Sequence, residues 1–451
     1  MAVVTPELLA LRDRLTGSLL FPTDSDYASA TSGGFHSQAT CTPAVVVLPD
    51  STADVVLAVQ TARSLGLKVA VQTTGHGTAG AVAGGMLVSM RALDQVTIDT
   101  EAQTARIGGG ATWGQVQQQA VANNLFATTG SSDHVGVVGF LLGGGIGPVV
   151  RTHGAGSDYM VAATLVTGRG DVVTVSAQEN PALFWALRGG KYGFGIVTEV
   201  TVRLVPVPDL YAGAIAYPAA ALDQVLHQWT DWQATADSRV STSIALFHFP
   251  PLPTLPEAIR GQSLLFVRFA FPFGSTEGER LAAPLRAFGP IVMDTIGPLP
   301  ADQCHLIHSD PIEPGPYVSR GFLLDRWDHD AATALVQQMG QRDQTPLVAF
   351  EVRQLGGAFR ADVPEGSAVS GRSGSHVLNG IGVALPGLTS EAQVHQAIDK
   401  LEQLLGDRVS SSNLVNFAEE RRNGDLAVWP RETVDLLTAI RTAHDPDTIF
   451  M

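Results

Sequence analysis

The stretch TTGSSDHVGVVGFLLGGGIG, Thr128–Gly147, constrains this chain more than any other. It holds seven glycines, at positions 130, 136, 139, 143, 144, 145 and 147, set among small and aliphatic residues with almost no charge. Glycine loses more backbone freedom on folding than any other residue, so this density needs a compensating gain. Close approach of main chain to a ligand is one, because uncrowded N–H groups bind phosphate or line a flat ring. A tightly packed glycine-rich turn is the other, and a lone glycine-rich run does not separate the two.

The bulk properties narrow the classes. With 451 residues the chain has room for two or three domains. At 45% hydrophobic and 16% charged it reads as globular. A net charge of -15 with no basic patch argues against nucleic acid, which requires clustered Lys and Arg. Cys41 and Cys304 make no disulfide framework, so a reducing cytoplasm is expected. No basic lead precedes an apolar core in MAVVTPELLALRDRL, so no signal peptide is read there. No run approaches the ~20 apolar residues of a membrane span.

Along the chain, residues 5–20 read as a helix and Ala44–Pro49 as a buried strand. A helix capped by Ser51 or Thr52 follows from Asp54 to Leu65 and is stopped by Gly66; Leu67–Val71 is the next strand. Hairpins are expected at 96–107 and around Gly168–Gly170, with a helix at Trp113–Ala122 between them and a strand after Gly195. Beyond Pro206 and Pro208 the pattern changes to longer alternating strands at 263–271, 347–355 and 377–385. Helices at 221–232, 331–340 and 390–405 lie between them, and a last one spans 431–443. That is the pattern of an antiparallel sheet with helices on one face.

Three further segments accompany the glycine run. TTGHGTAG at 73–80 places His76 just after a strand; FWALRGGKYGFGIVT spans 184–198; VNFAEER at 415–421 is followed by HDPDTIF at 444–450. Together, and in this order, they resemble the flavoproteins of the vanillyl-alcohol-oxidase class, and within it the berberine-bridge-enzyme-like oxidoreductases. The resemblance covers nearly the whole chain and is weakest between residues 210 and 346. It implies an α+β fold: an FAD-binding domain of two small α/β subdomains (1–208), a substrate domain with an antiparallel sheet covered by helices (209–411), and a segment (412–451) returning to the first domain.

The resemblance also implies FAD, with its pyrophosphate in the turn of Thr73, Thr74, Gly75, Gly77 and Thr78 and a covalent bond from His76 to the flavin methyl carbon. Gly130, Ser131, Ser132, Val135, Gly136, Gly139, Gly143, Gly144, Gly145 and Gly147 would lie along the flavin. Ile196 and Val197 match the strand at the adenine end. His153, with Gly154 and Asp158, supports the same site, and Asn416 and Phe417 match the C-terminal return. Where many members carry a cysteine for a second covalent bond, this chain has Ser132, so the link is expected through His76 only. Val135 occupies a position that gates dioxygen in relatives and leans toward an oxidase.

The usual proton acceptors are absent: Arg353 stands where Glu or Tyr is common, and Leu414 where Tyr is. Glu351 and Arg353 share one strand face, either as an ion pair or with Arg353 left to anchor a carboxylate, phenolate or enolate. His376 and Tyr317 are further candidates for base or hydrogen-bond partner. No HExxH, CxxC or GxSxG is present, and GGGIG lacks the acidic residue of a nicotinamide-cofactor fingerprint. The expected reaction is oxidation of a small, largely apolar alcohol, amine or phenol-like molecule, with dioxygen reoxidising the flavin in a natural-product setting. An oxygenase, a dehydrogenase with another acceptor and a non-catalytic flavin scaffold remain the alternatives.

Overall fold

The computed structural model describes residues 4–32, 41–77, 82–251, 253, 255, 257, 259–340, 345–385, 387–418 and 428–451. Thr78 of the expected phosphate turn lies outside them.

The first sheet has the order β1 (Ser18–Leu20), β2 (Val45–Leu48), β4 (Met86–Ser89), β3 (Val69–Gln72), with β2, β4 and β3 parallel and β1 antiparallel. Helix α1 (Pro6–Arg14) ends earlier than the expected 5–20, and the chain turns into β1. Gly17 forces the change: a Cβ there would sit 2.1 Å from Leu48 O, so only glycine lets β1 approach β2. Helix α2 (Thr52–Ser64) begins at Ser51, whose hydroxyl accepts from Asp54 N at 3.2 Å, and buries Val55, Ala58, Val59 and Ala62 on one stripe. Gly66, at φ +64°, ends it in the left-handed region.

The second sheet is antiparallel, in the order β8 (Val172–Ser176), β7 (Met160–Val166), β9 (Ile196–Arg203), β6 (Thr104–Gly108), β5 (Val96–Asp99). Helix α3 (Trp113–Ala122) covers it and is capped by Gln115 Oε1, which accepts from Thr112 N at 2.8 Å. The glycine run leaves α3 by way of residues 125–136, forms the short helix α4 (Val137–Leu142) and passes on to 150. Helix α5 (Pro181–Leu187) precedes the RGGKYGFG loop.

The third sheet is large and antiparallel: β13 (Met293–Asp294), β10 (Tyr211–Pro218), β12 (Ser263–Phe271), β11 (Ser241–His248), β15 (Leu347–Gln354), β16 (His376–Val383), β14 (Tyr317–Leu324). Helices α6 (Leu222–Thr235), α7 (His329–Met339) and α8 (Glu391–Leu405) cover one face over a core that includes Trp229, Phe322, Leu335, Phe350 and Ile398. Strands β10, β11 and β14 were not among the expected strands. The sheet is covered on both sides, so β10 is buried at seven of eight positions, and its Ala- and Gly-rich sequence shows no polar alternation. Helix α9 (Arg431–His444) packs back on α5, and the chain then pairs with β3, Val69 N donating to Ile449 O (2.7 Å) and Met451 N to Val69 O (3.0 Å).

No helix among the described residues is long and apolar enough to cross a membrane.

Candidate active site

The turn after β3 is built on two glycines in the left-handed region, Gly75 at φ +74° and Gly77 at φ +77°. Thr73 Oγ1 donates to Gly109 O at 2.8 Å, tying the turn to the second sheet. His76 is exposed, with its N–H 3.4 Å from Thr74 Oγ1. Beside it opens a cleft of about 390 Å³ lined by Thr73, Thr74, Arg91, Asp94, Gly110, Thr112 and Gln115.

The glycine run answers both sequence readings. Much of its glycine is required by protein packing. A Cβ on Gly130 or Gly145 would meet the Phe140 ring at 3.0 and 2.4 Å, one on Gly143 would meet Asn416 Oδ1 at 1.9 Å, and one on Gly147 Thr129 O at 2.0 Å. Gly136 is equally tight against Thr73, and Gly144 rests on Val369. Gly139 alone in the run has nothing within 4 Å of a Cβ. This folding of the run onto itself leaves two sets of main-chain donors. The N–H groups of Gly130, Ser131 and Ser132, and those of Gly145, Ile146 and Gly147, have no acceptor among the described residues. Gly147 adjoins Thr129 and Gly130, so the two sets are neighbours. Buried N–H groups are almost always satisfied, and six unpaired donors in two adjacent runs form a cradle for an anionic or carbonyl-rich ligand.

Opposite this cradle lies the face of the large sheet turned away from its helices, where register sets which side chains stand together. Ser243, Arg268, Arg353 and Val377 form one cross-strand row; Ala245, Phe266, Glu351 and Asn379 form the next. Arg353 Nη1 donates to Ile146 O at 3.3 Å, joining the first row to the glycine run. Glu351 accepts from Arg268 Nη1 (3.0 Å) and Arg353 Nη2 (2.9 Å), and His308 Nε2 stands 3.2 Å from it. Arg353 is therefore paired through both Nη atoms, while its Nε makes no hydrogen bond among the described residues. Burial opposes ionisation of Glu351, but the guanidinium groups of Arg353 and Arg268 outweigh it and hold the carboxyl well below its usual range. Burial, with the same two arginines, pushes the His308 imidazole down and keeps it neutral.

The other expected site residues are scattered. His376 faces the opposite side of the sheet, packed against Trp229 and Trp327, with Nε2 3.2 Å from Gln233 Oε1. Burial, then Arg151, pushes its pKa down to about 3, and the sheet itself stands between it and the Arg353 row. It therefore shares no sheet face with Arg353 and Glu351. Tyr317 shares the face of Arg353 but pairs with Val383, six residues along β16 from Val377, so it stands about 20 Å away. The two cannot act on one atom.

His153 is half-buried beside Tyr159 OH (3.2 Å), and burial lowers its pKa. Asp158 pairs with Arg372 at 2.5 Å, and Gly154 is held tightly above that carboxylate. Ile196 and Val197 are buried where the first two sheets meet, and Gly109 N donates to Thr198 O at 2.8 Å. Ser132 is buried, and Val135 is half-buried against the second core.

Asn416 fills the niche beside Gly143, donating to Phe140 O (3.0 Å) and accepting from Lys191 Nζ (2.6 Å). Phe417 lies 5.8 Å from the Arg353 guanidinium, and its carbonyl accepts from Gly321 N at 2.7 Å. The 413–418 segment is thus wedged between the glycine run and β14. Sequence reasoning missed Arg268, His308 and Lys191. Arg268 interrupts an otherwise apolar strand, the one signal that marked it; His308 lies in a loop with none.

The donor set fits FAD: two adjacent runs of unpaired N–H groups, a glycine turn after a parallel strand, and a cationic row across from them. Comparison with known proteins agrees. Residues 43–176 match the family described as an FAD-binding domain. The chain is 36% identical over 208 residues to (R)-6-hydroxynicotine oxidase of Paenarthrobacter nicotinovorans, a match spanning 45% of this chain and 45% of that enzyme. It shares its fold with 6-hydroxy-D-nicotine oxidase of Arthrobacter nicotinovorans (TM-score 0.85, 24% identity, covering 99% of this chain and 98% of that one). It shares it too with a variant of berberine bridge enzyme (TM-score 0.81, 16% identity, covering 98% of each). Residues 43–176 are thus an FAD-binding domain, and the curated relatives of the chain are FAD-linked oxidoreductases and oxidases.

Proposed function

We propose that this enzyme is an oxidase of a small, largely apolar molecule bearing an alcohol, amine or phenol-like carbon, with FAD tethered through His76 alone. The observation that carries the reading is the cradle of Gly130–Ser132 and Gly145–Gly147 N–H groups facing the Arg268–Glu351–Arg353 row across Ile146. Bound FAD supplies the redox chemistry, taking a hydride from the substrate and passing the electrons to dioxygen. The chain's own residues bind and orient. The Thr73–Gly77 turn receives the pyrophosphate, and the two N–H runs receive the polar edge of the ring system. Arg353, fixed by Glu351, keeps positive charge beside Ile146, and the 413–418 segment closes the site from the sheet side. Residues 1–208 with 412–451 form the cofactor half and residues 209–411 the substrate half.

The purified protein should be yellow, and acid precipitation should leave the colour in the pellet, with an intact mass raised by one FAD. His76→Ala should move the flavin to the supernatant. If the parent protein loses all its flavin on denaturation, the covalent link is wrong. The oxygenase alternative draws on Ser132, which leaves no second tether, and on Glu351, which is locked between two arginines. Label from dioxygen appearing in the product would replace the oxidase reading with it.

A further inference from the structure

The face of the large sheet turned away from its helices carries two features that bear on what the site accepts. The first is aromatic. Phe247 and Phe249 stack at 5.7 Å with planes 21° apart, and Phe266 stands edge-on to both at 5.9 and 6.3 Å. All three rings are only half-buried, while their row neighbours Ala216, Ala245 and Ala349 are small. Phe247 and Phe266, standing over an alanine floor, bury their faces best against something flat.

The second feature is electrostatic. Arg268 and Arg353, both buried, share a single carboxylate, the half-buried Glu351. Asp310, a third exposed, reaches Arg268 only at 4.0 Å. The row therefore holds an excess positive charge in a place where an unbalanced charge is costly. Arg268 Nε, Arg353 Nε, Ser243 Oγ and His308 Nδ1 make no hydrogen bond among the described residues. These residues line a cavity of about 10 Å³ against Gly147, room for one oxygen atom. The two features touch: the Arg268 guanidinium lies 5.7 Å from the Phe247 ring centroid.

We propose that this face binds a planar aromatic molecule with one anionic oxygen, a carboxylate or phenolate. The oxygen meets the row of Arg268, Ser243 and Arg353, and the ring lies against Phe266 and Phe247. Arg268 and Phe266 are two residues apart on one strand, about 7 Å, the span of one substituted benzene ring. The proposal rests on the oxidase reading only in taking this face as the substrate side.

The test is calorimetric titration of the purified yellow protein with benzoate, 2-naphthoate, benzamide and cyclohexanecarboxylate, with flavin difference spectra recorded alongside. Benzoate and 2-naphthoate should bind saturably. Benzamide keeps the ring without the charge, cyclohexanecarboxylate the charge without the flat ring, and each should bind at least tenfold more weakly. Phe247→Leu should narrow the gap between benzoate and cyclohexanecarboxylate, and Arg268→Gln that between benzoate and benzamide. Should Arg268→Gln fail to fold, Ser243→Ala removes one donor and should weaken benzoate but not benzamide.

Equal binding of benzamide and benzoate, or an unchanged ratio in Phe247→Leu, would overturn the proposal. A yellow protein that binds none of the four sinks it and leaves the oxidase reading standing. A colourless protein that binds benzoate as expected does the reverse.

Discussion

Replacing Glu351 with glutamine keeps the shape of the side chain and removes the one negative charge that two buried guanidiniums share. Its carboxylate lies 3.0 Å from Arg268 and 2.9 Å from Arg353, whose side chains are 3% and 7% exposed. An exposed pair would lose less than about 1 kcal/mol. Breaking a buried pair by deleting one partner costs about 3–5 kcal/mol, because the surviving charges stay out of water without compensation. Glutamine still accepts one hydrogen bond, which places the expected loss near the lower figure, a large share of a total stability of about 5–15 kcal/mol. Urea unfolding followed by tryptophan fluorescence reads the right region, since Trp229, Trp232 and Trp327 all pack in the helix-covered core of the same sheet.

The pH dependence carries the sign. The Glu351 pKa is depressed in the folded state, so its contribution is complete above the unfolded value of about 4.3 and is lost as pH falls toward the folded one. Glu351→Gln should flatten that acid limb. Adding Arg353→Met should recover part of the loss, because one uncompensated charge goes with it. A midpoint for Glu351→Gln within about 1 kcal/mol of the parent would refute the view that these charges depend on one another.

Other outcomes follow from the same geometry. Gly147→Ala should fold poorly and hold little flavin on visible absorbance, since its Cβ would lie 2.0 Å from a main-chain oxygen that cannot rotate away. Gly139→Ala, with nothing within 4 Å, should match the parent or gain up to about 1 kcal/mol in thermal melts; a drop in its flavin content would show that ligand fills that space. Asp54→Ala should lose about 1–3 kcal/mol, because the carboxylate accepts from Thr16 N, Thr16 Oγ1, Gly17 N and Asp50 N. Burial opposes ionisation of Asp54 but these donors lower its pKa, so its stabilisation too should fade below about pH 4. Tyr317→Phe should leave the benzoate titration unchanged, given its distance from Arg353.

The stretch that matches the FAD-binding domain was legible in the sequence wherever chain geometry leaves a mark in composition. Ser51, Gly66, the Trp113–Ala122 helix and the hairpin around Gly168–Gly170 all follow from local rules, and the observed elements fall on them within a residue or two. The large sheet was half-hidden because polar alternation requires one wet face, and β10 and β11 have none. The glycines misled in a useful way. They suggested backbone beside ligand, and most of them are instead needed for backbone and side chains of the protein itself, around Phe140, Asn416 and Thr129. What they release is the set of N–H groups, which no residue-type pattern displays. His376 and Tyr317 failed as site residues for one reason: strand parity and register, not residue chemistry, decide which atoms meet.

The wedge formed by residues 413–418 and the β3 pairing of residues 449–451 bear on how the molecule is made. The niche beside Gly143 and the edge of β3 belong to segments that leave the ribosome early, yet both are completed by residues translated after the entire large sheet. The stretch that matches the FAD-binding domain therefore gains its last packing partners only after the large sheet has been made. The niche beside Gly143 is filled by Asn416 only when the chain comes back to it, which makes completion of the glycine run's packing a late event.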